Sequence, residues 1–430
     1  MGRGALQHPG TAGTVSIMSE RGVPRTVDVA VIGGGIVGLG IAWAVARSGR
    51  SVVVIDPDPA GGATFAAAGM LAAVSELHYQ EEGLLELMLA SAALYPAFIE
   101  SLGPDSSTTG YRRTRTLNVG ADSSDRQALA DLRGVQLANG LQAPPLTIGE
   151  ARALEPLLSP RIAGAFVAPQ DHQVDPRRLA ERLQLALAAL AGGARAAVVR
   201  VNARGLLHEN CADASSRVTG VALDGGATVK ASEVIVANGL GAAGLGGLPE
   251  GLSLPLRPVY GDVLRLRVPE HLRPLLTCTV RGLVHGVPVY LVPRTDGTLV
   301  IGATQREDGC GTVSAGGVYQ LLRDAQVLLP AVSELELLEM TARARPGTPD
   351  NAPLLGRVGR TGAQGDTDDI PGLIIATGFF RHGVLLTPVA AEYCLQLIEG
   401  TANDRWRRFR PDRFSASHPP ASALPQGVHS

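Results

Sequence analysis

Lysine is almost missing from this 430-residue chain: Lys230 is the only one among 38 basic residues. Arginine therefore carries nearly all the positive charge. Together with the Ala/Gly bias this fits a GC-rich coding sequence, so arginine clusters carry no functional weight as such. Net charge is also nearly absent, −2 at pH 7, which argues against a nucleic-acid polyanion as the general partner. Cysteine is scarce. Cys211, Cys278, Cys310 and Cys394 lie far apart and form no CxxC or Cys/His pair, which gives no support for a zinc site and reads as reduced thiols in a cytoplasm. No apolar run reaches the roughly 18 residues of a membrane span. The opening "MGRGALQHPGTAGTVSIMSERGVPRT" lacks the apolar core of a secretory signal and reads as a disordered leader over residues 1–25, with Met18 as an alternative start. No repeat, low-complexity block or nucleophile elbow is present.

What is present is enough apolar residue, 45%, for a substantial core spread over two or three domains. "VDVAVI" (27–32) is a buried strand, "GGGIVG" a glycine turn, and Ile36 to Ser48 a helix ending at Gly49; "SVVVID" is the next strand. Together they make a βαβ unit. Helical spacing returns from Gly83 to Leu102. "YRRTRTLNVGA" (111–121) and "GAFVAPQD" (164–171) alternate like half-exposed strands. The next helix has Asp175 as N-cap, Pro176 at N1 and Gly192 to close it. "AAVVRV" and "SEVIVANG" are further strands, and short β-like runs over 256–303 suggest an antiparallel sheet. A helix over 317–329 follows. The end, "GLIIATGFFRHGVLLTPVAAEYCLQLIEG", reads as strand, glycine turn and helix, before a loose Pro/Ser/Ala-rich tail from about Pro411.

The fold class is therefore α/β: a Rossmann-like dinucleotide-binding domain with a parallel sheet, interrupted by a domain on a mainly antiparallel sheet with flanking helices. The expected division gives residues 26–105, 172–255 and 341–412 to the first domain and 106–171 and 256–340 to the second, with a loose tail over 413–430.

Gly33, Gly35 and Gly38 form GxGxxG, a weak signal among 53 glycines. Here it gains strength from lying between a strand and a helix, with Asp56 ending the next strand. Gly33 makes the turn, Gly35 admits a pyrophosphate, Gly38 allows close helix–strand packing, and the helix N-terminus offers free N–H groups. The pattern does not choose between FAD and NAD. "GGATFAAAGML" (61–71) would let backbone approach a flat ring, although plain alanine enrichment explains it equally well. "ATGFFRHG" weighs more: Gly378 follows a strand and Gly383 stands at the next helix entrance, where the dipole would stabilise the negative edge of a reduced flavin.

These segments, with "VYLVPR…LVIGAT" and "RPGTPDNAPLLGR", make the chain resemble the glycine oxidases of the thiamine pathway, within the D-amino-acid oxidase superfamily of FAD-dependent oxidoreductases. The resemblance spans most of residues 27–412. It implies non-covalent FAD, two domains, and oxidation of glycine to its imine with hydrogen peroxide as by-product. It also implies a homo-oligomer (a tetramer) and an imine passed to thiazole synthase. Residue by residue, it puts Ile36 and Val37 on the pyrophosphate, Asp56 and Pro57 beside the ribose, and Val198 beside the adenine. Ala63, Thr64, Ala68, Gly69 and Met70 would line phosphate and flavin. The flavin-edge loop would comprise Phe379, Phe380, Arg381, His382, Gly383, Val384 and Leu385, with Gly378 before it also at the cofactor; Phe379 stands where the family more often has histidine. Tyr290 and Arg345 would hold the substrate carboxylate, and Arg381 would add a further substrate contact.

Arg345 has a physical case of its own. The residue before proline is pushed to an extended conformation, which fixes where its side chain departs, and a guanidinium fork matches a carboxylate. An amino acid held there would need only a neutral amine and correct aim. The competing reading of Arg345 is an ordinary surface charge, of Tyr290 a core tyrosine, and of Arg343 a structural residue. His382 reads as a hydrogen-bonding turn residue; His78, His172 and His285 lack ligand spacing. Two rival functions stay open: a D-amino-acid or sarcosine-type oxidase or dehydrogenase, and a non-catalytic flavin-binding partner subunit.

Overall fold

Strand Thr26–Ile32 sits at the centre of the first sheet because it is apolar on both faces. Val29 and Val31 point into one core and Ala30 and Ile32 into the other, as in a strand covered on both sides. It runs parallel to Val52–Ile55 and to Thr228–Val236. Parallel strands Ala196–Val199 and Thr367–Thr377 extend the sheet on either side, and antiparallel Leu354–Thr361 closes one edge. Helices Ile36–Arg47, Pro176–Ala191 and Thr387–Glu399 cover the first face. The antiparallel hairpin Ala203–His208/Val218–Leu223 contributes to the core on the second. The structure is a computed structural model describing residues 22–191, 195–211, 213–361 and 367–415. Met18, most of the expected leader, Gly192 and the tail after Ser415 lie outside the described residues.

Several expected boundaries sharpen. Helix Ile36–Arg47 ends with Gly49 at φ +91, a left-handed position suited to glycine. Asp175 Oδ1 accepts from the Arg177 N–H at 3.0 Å, capping the helix that starts at Pro176. Of the expected strands 111–121 and 164–171, only Thr116–Gly120 and Gly164–Ala168 are regular. The expected leader stops short of Val23–Arg25: Val23 packs on the second core, and Arg25 O accepts from Lys230 N. The tail expected to be loose from Pro411 is held through Ser415. Arg413 donates to Asp350 and to Pro353 O, and Ser415 Oγ accepts from Ser253 N.

The second sheet has eight strands in the order Glu336–Gly347, Arg257–Arg267, Thr298–Gly302, Val287–Pro293, Thr279–Val284, Thr116–Gly120, Gly164–Ala168, Pro145–Leu146. All its pairings are antiparallel except Thr279–Val284 with Thr116–Gly120. Leu264, Leu266, Val289, Leu291, Leu299 and Ile301 pack on the side of helix Ala315–Leu328. Val263, Val292 and Val300 point the other way, packing with Ala68 of the first domain. The expected boundary at 340/341 falls inside strand Glu336–Gly347, which pairs with Arg257–Arg267 as far as Gly347. Arg345 is thus carried by the second sheet, because a ladder this long keeps the strand together beyond the point where its sequence turns basic.

Helix Glu82–Glu100 has the length and mean hydropathy (1.3) of a membrane-crossing segment. Its Leu84, Leu87, Met88, Tyr95 and Ile99 are instead buried in the first core.

Candidate active site

A cavity of about 570 Å³ runs between the two sheets, from the fingerprint turn past residues 60–70 to Tyr290 and Arg345. Two fingerprint glycines are required by backbone contact. A Cβ on Gly33, which has φ +109, would lie 2.5 Å from Ala237 O, and one on Gly38 would lie 2.0 Å from Gly33 O. Gly35 is different: its added Cβ meets only Thr64 Oγ1, at 3.6 Å, and Gly35 lines the cavity with Ile36 and Val37. It is the point where an anionic group can approach the helix N-terminus. Glycine at the N-cap has no side chain to cap the helix, and Thr64 supplies the cap instead: Ile36 N donates to Thr64 Oγ1 at 3.0 Å. Asp56 lines the same end; its Oδ2 accepts from Gly34 N at 2.6 Å and its Oδ1 from Asp58 N at 2.8 Å.

Ala63, Thr64, Ala68, Gly69 and Met70 all line the cavity, whereas Pro57 and Val198 do not. Val198 sits on the next strand, paired with Val54. Three arginines behind the 65–68 segment bind its carbonyls. Arg177 Nε donates to Phe65 O at 2.7 Å, Arg265 to Phe65 O and Ala67 O, and Arg294 to Ala68 O and, at 2.8 Å, to Val174 O. Burial pulls the Arg294 guanidinium down to about 10, leaving it charged at neutral pH. Sequence reasoning missed this bracing; its one signal was the arginine closing "VYLVPR".

The segment Gly378–Leu385 lines the far wall, with Gly378 at φ +70 and Phe380 at φ +47. Helix Glu82–Glu100 fixes its position: Tyr95 Oη donates to Val384 O at 2.8 Å and Ser91 Oγ to Leu385 O at 2.6 Å. The following helix begins at Thr387, not at Gly383 as expected. The Leu386 N–H is used in a turn to His382 O, and Thr387 Oγ1 donates to Gly383 O, so Gly383 lies in the turn before the helix. His382 is buried and held neutral, down to about 3, by burial and then by Arg381.

At the other end of the cavity, glycines make room for the Tyr290 and Arg345 side chains. A Cβ on Gly302 would meet the Tyr290 hydroxyl at 2.2 Å, and one on Gly261 would meet the Arg345 guanidinium at 2.3 Å. Arg345 makes one long hydrogen bond, 3.4 Å to Thr304 O, and no ion pair to it is formed among the described residues. Tyr290 is pushed up by burial while Arg345 pulls it down, so the phenol keeps its proton at neutral pH and can donate. Arg343 also lines the cavity, and its Nε donates to Gly61 O at 2.9 Å. That supports a structural role.

Arg381 is placed in the wall but already engaged: it pairs with Glu81 and lies 3.6 Å from Glu76. Glu76 in turn pairs with Arg281 at 2.9 Å. Burial would raise the Glu76 carboxyl, but Arg281 and Arg381 hold it at about 2. His78 is lowered to about 4 by burial, then by Arg381 and Arg281. Glu76, His78 and Arg281 all line the cavity. None was foreseen, because nothing local in "SELHYQEE" or "TVRGLV" sets them apart. Among the described residues no three His, Cys, Asp or Glu side chains are grouped to hold a metal ion.

A helix N-terminus facing the cavity, Asp56 beside it, a glycine-backed turn and a long cavity between two sheets fit a dinucleotide extended to a flat ring. The protein is thus a flavin-dependent oxidoreductase by fold and site. Residues 28–397 match the family described as FAD dependent oxidoreductase, DAO, and the chain belongs to that family, with FAD as its cofactor. It is 35% identical to a glycine oxidase of Geobacillus kaustophilus, over 86% of this chain and 93% of that protein. A bifunctional ThiO/ThiG protein of Trichormus variabilis is 30% identical over 94% of this chain, which spans 57% of that relative. The crystal structure of the Geobacillus kaustophilus glycine oxidase superposes with a TM-score of 0.78 at 31% identity, covering 90% of this chain and 99% of that one.

Proposed function

We propose that the protein oxidises glycine to iminoglycine, which hydrolyses to glyoxylate and ammonia, while oxygen is reduced to hydrogen peroxide. The observation that carries this is Arg345: a cavity-lining guanidinium with no acidic partner among the described residues, beside the half-buried phenol of Tyr290. The Arg345 fork receives the substrate carboxylate and Tyr290 donates a further hydrogen bond. The carbonyls of residues 65–68, braced by Arg177, Arg265 and Arg294, keep the ring-side wall rigid. Bound FAD, held without a covalent link, supplies the two-electron acceptor for hydride from the α-carbon. This chain's residues contribute orientation and water exclusion, the terms that dominate when no side chain need exchange a proton. Arg381, tied to Glu81 and Glu76, shapes the wall from which it would touch substrate.

The imine feeds thiazole formation in thiamine biosynthesis, a link supported by relatives named as bifunctional ThiO/ThiG proteins. Family resemblance supports assembly into a homo-oligomer in the cytoplasm. Anaerobic titration of the purified holoprotein with glycine should bleach the flavin, and admitting oxygen should yield peroxide. Bleaching by sarcosine or D-alanine but not by glycine would move the assignment to the related amine oxidases. Bleaching by none would leave a flavin-binding subunit without turnover.

A further inference from the structure

Arg281 stands directly across the β-ladder from Tyr290, so the two side chains share a sheet face, and both line the cavity. Arg281 is fixed on every side. Its Nε pairs with Glu76 at 2.9 Å, Nη1 donates to Ser75 O at 2.5 Å, and Nη2 meets His78 Nε2 at 3.4 Å. Both members of the ion pair are deeply buried, with side chains 12% and 11% exposed. The charges alternate beyond it: Glu76 also faces Arg381, Arg381 pairs with Glu81, and Glu81 accepts from Asn351 Nδ2 at 2.9 Å. Two guanidiniums thus meet two carboxylates and the wall is neutral. Arg345 and Arg343 also line the cavity and form no ion pair among the described residues; Arg343 is bound to the Gly61 and Ala342 carbonyls, and Arg345 makes only the long bond to Thr304 O.

We propose that the Arg281–Glu76 pair is a specificity-determining wall: it confines the site to amines bearing one carboxylate and no second charge, and removing either member admits side chains of the charge that the removed member carried. This rests on the reading of Arg345 and Tyr290 as the carboxylate receptor. A second carboxylate beside this wall finds Arg281 and Arg381 already neutralised, and a second ammonium finds Glu76 already taken. Either would be desolvated without compensation. Without Arg281, Glu76 faces the cavity with a surplus negative charge and draws a cationic side chain. Without Glu76, Arg281 and Arg381 hold a surplus positive charge and draw an anionic one.

The test uses FAD-loaded Arg281→Met, Glu76→Gln and the double variant, comparing kcat/KM for flavin reduction by glycine, D-norvaline, D-ornithine and D-glutamate. Arg281→Met should raise the D-ornithine to D-norvaline ratio about 10-fold or more, and Glu76→Gln should do the same for D-glutamate to D-norvaline; about 10-fold corresponds to a modest change in pairing energy. The double variant should show neither preference. Ratios that stay at the wild-type value, or that move the same way in both single variants, overturn the proposal. The unmodified enzyme offers a check that needs no substitution to fold: acetate should perturb the flavin spectrum at concentrations about 10-fold lower than malonate, and malonate binding as tightly as acetate is contrary to a neutral wall. If glycine fails to reduce the wild-type flavin while the charge ratios move as stated on another amine, the glycine assignment falls and the wall stands. If glycine reduces it and the ratios do not move, the wall falls alone.

Discussion

At the nucleotide end of the cavity the wall is backbone: the Gly33–Gly38 turn, the first N–H groups of helix Ile36–Arg47, and one acid at Asp56. At the Tyr290–Arg345 end, the proposed substrate end, it is side chain. Tyr290, Arg345, Arg281, Glu76 and Arg381 arrive from three strands, a loop and a turn, and are held by charge pairing and by glycines that leave them space. Backbone geometry is strict about residue type but local in sequence. Charge pairing tolerates many residue types but depends on distant partners. The two ends should therefore fail differently when cut.

The largest effect belongs to the backbone end. Gly38→Ala places a Cβ 2.0 Å from Gly33 O, a backbone atom that cannot turn aside. Overpacking of this kind should cost about 3 kcal/mol or more and release FAD, read as colourless protein with a lowered Tm. Gly134→Ala, in helix Ser123–Ala138 with nothing within 4 Å of the added Cβ, should instead stabilise by about 0.5–1 kcal/mol. Equal behaviour of the two would refute the claim that contact, not glycine content, matters.

Next comes the substrate end. Arg345→Ala should keep FAD and leave the fold intact, yet lose about 2–5 kcal/mol of binding to the substrate carboxylate. Steady-state and anaerobic kinetics should show this as a steep rise in glycine KM. A variant that saturates with glycine as wild type does would remove Arg345 from the site.

This division explains what could be read from sequence. The βαβ unit was legible because its determinants are consecutive: apolar runs at 27–32 and 52–55, three glycines at fixed spacing, and an acid ending the next strand. Tyr290, Arg345 and Arg381 were singled out by motif resemblance, and the fold brings all three to the cavity wall. The engagement of Arg381 by Glu81 was not, because those residues are 300 positions apart. Glu76, His78 and Arg281 were invisible for the same reason. The expected 340/341 division falls inside a strand whose ladder continues to Gly347, because pairing with a distant strand is not written in the local sequence.

Asp171 is the finer probe, since it anchors the substrate wall without belonging to it. Its Oδ1 accepts from Val74 N at 3.1 Å and its Oδ2 from Ser75 N at 3.2 Å, which fixes the segment that carries Glu76. Two buried carboxylates thus sit near one another with opposite fates: arginines hold Glu76 at about 2, while burial pushes Asp171 from 3.8 up to about 6. Between roughly pH 4 and 6 the folded protein therefore retains a proton at Asp171 that the unfolded chain releases. The contribution to stability is complete below the unfolded value and is lost as pH rises through the folded one, a change of about 3 kcal/mol between those limits. Asp171→Asn abolishes this titration, so whatever constant offset it brings, its stability relative to wild type should rise by about that amount from pH 4 to pH 7. Glu76 loses its contribution as pH falls from the unfolded value of 4.5 toward about 2, and it does so in both proteins, so it cancels from their difference. Urea unfolding of both proteins across the range is the measurement, and a pH-independent difference between them would show that the Asp171 carboxylate is solvated and the substrate wall anchored by some other contact.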